Sequence, residues 1–296
     1  MGYLFLALDL AASATKGYCG KQTSGYVNEY KDAMLANTIR MAFCIIIGFI
    51  MIAVQGNVGL LKISPTMLLI TALSGITTSV FVVCWLISVK KGAYMMLDAF
   101  LMLGVMVPLL GSSIMFDEKI KLTQWAGLAI LLVAVLIMCS YNNSIKEKMS
   151  PSSFALLVIC GAANGLTDFS QKLFVKLCTD STSAVFNFYT YVFSAAVLIV
   201  CYFIFKGKSG GNDTKSNFKP IFIYIMIMSV CLFAYSYFKT NAANYLSSAQ
   251  LYPLSQGAGL IISSVMSATL FREKLTLKCI IGLALSFAAL IIINVL

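Results

Sequence analysis

Charged residues divide the chain into ten apolar segments: 2–20, 33–54, 66–89, 93–115, 123–141, 153–176, 184–205, 220–241, 247–270 and 276–295. Each holds 19–24 residues. An α-helix rises about 1.5 Å per residue, so roughly 20 residues cross the hydrocarbon of a bilayer. An open sheet of the same composition would leave backbone groups unpaired in lipid. Only 11% of the 296 residues are charged and 60% are apolar, whereas a soluble domain carries about 25% charged residues. The expectation is an all-α membrane protein with ten transmembrane helices. Segment 1 lacks a basic leader and carries Asp9 inside its apolar run, so it is read as a helix and not as a signal peptide.

The segments fall into two similar sets of five. Residues 116–130 read FDEKIKLTQWAGLAI and residues 271–285 read FREKLTLKCIIGLAL, with seven identities at a spacing of 155. Pro65 and Pro220 share that spacing, as do Gly104 and Gly259. Nearer the N-terminus the spacing becomes 151, relating Lys21 to Lys172 and Ala33 to Ala184. The four-residue change is absorbed by the loop Lys206–Lys219, the longest polar stretch. Two repeats are therefore expected, 1–141 and 152–296. Five is odd, so the second would sit inverted relative to the first, an arrangement common in secondary transporters. The FxEK stretches fall in turns, and Gly127 and Gly282 are expected to let neighbouring helices approach closely.

Several function classes drop out. The chain has no His, which removes imidazole metal sites, Ser-His and Cys-His dyads and His relays. The nine Cys are scattered and form no CxxC, as expected of small buried hydrophobes. No GxxxxGK[ST] loop is present, so direct ATP drive is not supported. The net charge of +10 fits lysines beside anionic headgroups and calls for no nucleic acid. No cofactor and no enzymatic activity are expected.

Ionisable residues inside spans are costly and usually functional. On helical spacing, Asp9, Ser13 and Lys16 share one face of segment 1, and Tyr94 and Asp98 one face of segment 4. Asn164, Asp168 and Lys172 align on segment 6, Tyr235 and Lys239 on segment 8, and Tyr252 and Gln256 on segment 9. These stripes are expected to converge on one polar cavity, with Arg40 and Tyr191 as further candidates. Lys172 and Lys239 could instead snorkel to the headgroups, and Arg40 could tie to a carbonyl or to Asp98. Trp85 and Trp125, at segment ends, read as interfacial belt residues. Gly161 and Gly165 have the GxxxG spacing of helix packing. Opposite charges suit a zwitterionic substrate, an internal salt bridge broken by substrate or proton, or an organic cation among the tyrosines.

Three features carry a resemblance: the Glu-Lys turn before a Gly-containing last helix (118–127 and 273–282), the run Leu251-Tyr252-Pro253-Leu254, and Arg40 in segment 2. Together they make the chain similar to the EamA family of the drug/metabolite transporter superfamily, over nearly its whole length. The resemblance implies a ten-helix bundle that moves small metabolites by alternating access. It implies a bilayer and a small-molecule substrate as partners, with amino acids or other metabolites among the family's cargoes and amines or sugar nucleotides among those of its relatives. The cavity would be lined by segments 1, 3, 4, 6, 8 and 9. The chain departs from the family in lacking a Trp in segment 1, and in carrying Asp98 where segment 9 carries Pro253. The expected function is secondary transport of an amino acid or related amine or zwitterion across the plasma membrane, with or without proton coupling, by a monomer or homodimer. A channel, a lipid scramblase or a non-transporting accessory subunit are the alternatives. Basic residues concentrate on the side of the loop between segments 1 and 2, which by the positive-inside rule would be cytoplasmic; the resemblance implies the opposite orientation.

Overall fold

The computed structural model describes residues 1–27, 29–90, 94–139, 151–206, 219–270 and 277–295. Within them the chain forms helices α1 Gly2–Ser24, α2 Tyr30–Val54, α3 Pro65–Lys90, α4 Tyr94–Gly104, α5 Met106–Phe116, α6 Leu122–Cys139, α7 Pro151–Leu177, α8 Ser183–Lys206, α9 Phe222–Ala242, α10 Ser248–Thr269 and α11 Leu277–Val295. No strand occurs among the described residues. The helices coincide with the apolar segments to within a few residues, because each polar interval supplies a stop and a start. Pro65 opens α3 at the first helical position, where its missing N–H costs nothing, and Ser64 Oγ accepts the Met67 amide at 3.2 Å. Glu29 and Asp32 form a reciprocal capping box at the start of α2.

One segment differs from expectation. Segment 4 is two helices, α4 and α5, interrupted at Val105. Pro108 explains the break: it has no N–H to give the carbonyl four residues back, Gly104, and its ring crowds that carbonyl. The chain uses the opening. A Cβ on Gly165 of α7 would lie 2.2 Å from the Gly104 carbonyl oxygen, and one on Gly104 would lie 2.2 Å from the Gly161 oxygen. Only three glycines allow α4 and α7 to meet backbone to backbone, as the GxxxG spacing led us to expect.

The packing is inside-out relative to a soluble protein. Ile46, Phe49 and Ile50 of α2, Leu69 and Ile76 of α3, and Val200, Phe203 and Ile204 of α8 are exposed. Asp9, Asn37, Arg40, Asp168, Lys172 and Lys239 are buried. An apolar exterior with a polar interior is what a lipid solvent selects. Among the described residues, five helices are long and apolar enough to cross a membrane: α2, α3, α7, α8 and Lys219–Ala242; shorter apolar helices accompany them. Helices α1 and α10 fall outside that group because polar residues interrupt them, Asp9, Lys16 and Lys21 in one and serines and glutamines in the other. The protein is a multi-pass membrane protein.

The most extensive packing joins early helices to late ones: α1 on α9, α3 on α7, α2 on α8 and α6 on α11, with α4 against both α7 and α10, and α1 also on α10. The polar side chains of α1, α4, α7, α9 and α10 therefore share one interior.

Candidate functional site

An ion pair occupies the centre of this interior. Lys239 Nζ of α9 lies 2.7 Å from Asp168 Oδ1 of α7, and neither side chain is more than 2% exposed. Lys239 also donates to the Tyr235 hydroxyl at 2.9 Å. Gln256 Nε2 of α10 donates to Asp168 Oδ2 at 3.3 Å, with Asn164 Nδ2 at 3.5 Å. The Tyr252 hydroxyl donates to the Asp168 backbone carbonyl at 2.8 Å. The Lys239 ammonium stands 5.1 Å from the Tyr235 ring centre and 5.6 Å from that of Tyr252. Several neutral donors and two ring faces thus surround one neutralised pair, the environment in which a buried ion pair persists. Snorkelling is ruled out for Lys239 by its burial.

Around the pair lie charges that are less well matched. Asp9 of α1 is fully buried; its Oδ2 accepts from Ser255 Oγ of α10 at 2.8 Å, and its Oδ1 has no hydrogen-bond partner among the described residues. Asp98 of α4 has Ser263 of α10 as a hydrogen-bond donor and an unpartnered Oδ2. The Lys16 ammonium of α1 stands 4.0 Å from the Tyr235 ring centre and 5.9 Å from that of Phe81. A narrow cavity runs among them, lined by Ser13, Lys16, Asp98, Asn164, Tyr235 and Gln256, among others. Its volume is about 40 Å³, room for a few waters.

The α5–α6 turn closes the other end of α7. Asp117 ends α5 in the left-handed conformation, φ 52°, which lets the chain reverse and aims Glu118 inward. Glu118 accepts Lys172 Nζ at 2.8 Å and, through its other oxygen, the Ser248 amide at the start of α10 at 3.0 Å. A carboxylate at a helix N-terminus complements both the free N–H groups and the dipole. Lys172 also donates to the Leu246 carbonyl at 3.3 Å. Burial by itself would raise the Glu118 carboxyl; the hydrogen bonds from Lys172 and from Ser248 outweigh it and hold the group below the ordinary glutamate value. This cluster lines an open vestibule with Lys119, Lys176 and Asn244. Lys172 is therefore paired and not snorkelling. Asn164 lines the cavity, Lys172 lines the vestibule, and Asp168 sits between them on one face of α7.

The profile of the EamA-like transporter family matches residues 147–295, half of the chain. The chain belongs to the EamA-like transporter family. A solved crystal structure, described only as that of a protein, is similar to this EamA-like chain with a TM-score of 0.71 and 13% identity; the match covers 99% of this chain and 96% of that one. At that identity the likeness shows the fold alone. No curated protein matches the chain. The family is one of membrane transporters in the drug/metabolite transporter superfamily, which implies a bilayer and a small-molecule substrate.

For this EamA-like chain the structure brings together Asp9, Ser13, Lys16, Asp98, Asn164, Asp168, Tyr235, Lys239, Tyr252 and Gln256. Two candidates sit apart from the ion pair. The Tyr191 hydroxyl donates to the Leu232 carbonyl at 3.1 Å, and its ring packs on Phe233. Arg40 lies behind Lys16 and donates to Asn37 Oδ1; it makes no carboxylate ion pair among the described residues, so a tie to Asp98 is not what holds it. The side chain of Tyr94 and the second Glu-Lys turn, 271–274, lie outside the described residues. The belt reading of Trp85 is overturned: it is 6% exposed and lines the cavity, its ring occupying the space left by Gly20. Trp125 is 40% exposed, as a belt residue would be. Sequence reasoning passed over Ser255 and Ser263, the partners of Asp9 and Asp98. Their signal was present: Tyr252, Ser255, Gln256, Gly259 and Ser263 recur at helical spacing along one face of α10.

Proposed function

We propose that this protein is a secondary transporter that carries a small polar metabolite, an amino acid or a related amine or zwitterion, across the plasma membrane by alternating access. The observation that carries the reading is the meeting of opposite charges from α1, α4, α7 and α9 in one interior, with Lys16 and Asp98 lining its cavity, in a chain of a transporter family.

The proposal includes two inverted five-helix repeats, 1–141 and 152–296, that cross the membrane ten times. Its support is the packing. Let α1, α2, α3, α4/α5 and α6 be exchanged with α7, α8, α9, α10 and α11. The pairs α1·α9 and α3·α7 then change places, α4·α7 and α1·α10 do the same, and α2·α8, α4·α10 and α6·α11 map onto themselves. Adjacency of that kind is expected of two like halves related by a twofold axis in the membrane plane. Substrate would bind between the halves, with the Glu118–Lys172 tie closing the vestibule end, and relief of buried charges on binding would bias the conformational equilibrium. A proton could take part at Asp9 or Asp98.

The test is counterflow in liposomes containing the purified protein, with pools of labelled amino acids and amines. Saturable uptake that requires unlabelled substrate inside supports the reading. Flux that neither saturates nor exchanges would assign the scaffold to a channel or scramblase, and no flux at all would point to an accessory subunit.

A further inference from the structure

The vestibule beside the α5–α6 turn holds more positive charge than its one carboxylate balances. Lys119, Lys172 and Lys176 line it with Glu118, an excess of two positive charges among the lining groups. Glu118 is already committed on both sides. Its Oε1 faces Lys172 Nζ at 2.8 Å and Lys176 Nζ at 3.8 Å, and its Oε2 accepts the Ser248 amide at 3.0 Å. The Lys172 side chain is 3% exposed and fixed by this pair and by the Leu246 carbonyl. Lys176 is 42% exposed, and Lys119 is exposed with no carboxylate in ion-pair distance among the described residues. Asp117 and Asp180 are close in sequence but do not line the space.

The vestibule has a volume of about 480 Å³, within the range of small-molecule pockets. A cleft lined by one sign of charge against low-dielectric walls concentrates counter-ions. Its surroundings place it at an edge of the lipid-facing surface. Ile114 and Met115, about one turn before Glu118, are 80% and 56% exposed, and Tyr245 of the vestibule wall is 61% exposed. Water and lipid headgroups both reach such a place, and basic pockets at that depth attract anionic groups.

We propose that the vestibule is a binding site for a phosphate group, held by the Lys119 and Lys176 ammoniums in the field of Lys172. Lysine binds phosphate as a point charge, and the several oxygens of a phosphate accept from more than one ammonium at once. A soluble phosphate and the phosphodiester of an anionic lipid present the same chemistry to these side chains. Lys119 belongs to the α5–α6 turn and Lys176 to the last turn of α7. The bound group therefore bridges the two elements that the Glu118–Lys172 pair already joins. The site is separate from the central cavity and independent of what that cavity carries.

Asn244, exposed on the vestibule wall, gives a place for a reporter. Asn244→Cys in the full-length protein is placed in phosphatidylcholine nanodiscs and modified with a sulfonate-bearing thiosulfonate, with the parent's own cysteines as the background. Inorganic phosphate is titrated in, against sodium chloride at matched ionic strength. A second set of nanodiscs contains phosphatidylglycerol. The expected result is saturable protection of the cysteine by phosphate in the neutral nanodiscs or by phosphatidylglycerol in the anionic ones. Protection by phosphate assigns a soluble ligand, and protection that appears only with phosphatidylglycerol assigns a lipid headgroup; either supports the site. Lys119→Gln and Lys176→Gln should each weaken it about fivefold, the equivalent of ~1 kcal/mol per lysine near an anionic group. Lys176→Arg keeps the charge and should retain the protection, which separates loss of the site from misfolding. No protection from either source overturns the proposal, as does protection unchanged in the double variant Lys119→Gln/Lys176→Gln. Chloride as effective as phosphate would show charge screening alone and overturn it equally. Counterflow is not measured here, so failure of this site leaves the transport reading standing.

Discussion

Replacing Asp168 with Asn removes the charge opposite Lys239 while preserving the shape of the side chain. Lys239 is then left fully buried with neutral partners alone, the new amide oxygen at position 168 and the Tyr235 hydroxyl at 2.9 Å. Breaking a buried pair from one side costs about 3–5 kcal/mol. At about 2–4 °C per kcal/mol for a chain of this general size, the apparent melting temperature should fall by roughly 6–20 °C. Lys239→Met should lose a comparable amount, because Asp168 keeps only neutral amide donors at 3.3 and 3.5 Å. The double variant Asp168→Asn/Lys239→Met buries no net charge, so it should recover a large part of either loss. Thermal unfolding in detergent, followed by fluorescence-detected gel filtration after heating, measures all four proteins. If the double variant loses the sum of the two single losses, the residues do not act as a pair and the reasoning fails. A single variant as stable as the parent would fail it equally. Recovery of stability in the double variant without recovery of counterflow would mark the pair as functional and not merely structural.

Other perturbations test separate joints of the structure. Gly165→Ala drives a Cβ to 2.2 Å from a backbone oxygen of α4, so overpacking should cost about 1–3 kcal/mol or more; a melting temperature equal to the parent's would show that α4 and α7 do not meet there. The Glu118 carboxyl is held below its ordinary value of 4.5, so its contribution is complete above that pH and is lost as pH falls through the lower folded value. Glu118→Gln should therefore destabilise at pH 7 by about 1 kcal/mol and flatten the acid limb of the stability profile below pH 4.5; an unchanged acid limb would remove the tie from the account. Ser255→Ala leaves the buried Asp9 without its hydrogen-bond donor, at a cost of about 1–3 kcal/mol, and should shift the pH dependence of counterflow if Asp9 takes part in coupling; a profile identical to the parent's assigns Asp9 a structural role.

The sequence by itself determined the helices. Segment lengths of 19–24 residues, prolines at 65 and 151, and charged intervals between apolar runs are local signals, and a helix is closed by local hydrogen bonds. The polar faces were legible for the same reason: residues four apart on a helix share a side whatever it packs against, so Asn164, Asp168 and Lys172 could be aligned before any partner was known. Partner choice was not legible. That Lys239 meets Asp168, that Glu118 spans to Lys172 and the start of α10, and that Asp9 finds Ser255 across 246 positions of chain are decisions of helix packing. They depend on distances between faces that periodicity does not encode. Trp85 shows the limit most plainly. At a segment end it has the address of a belt residue, and only the gap at Gly20 turns it inward. The break at Val105 lies between the two cases, since Pro108 dictates a freed carbonyl locally, but the glycines of α7 decide what fills the space beside it.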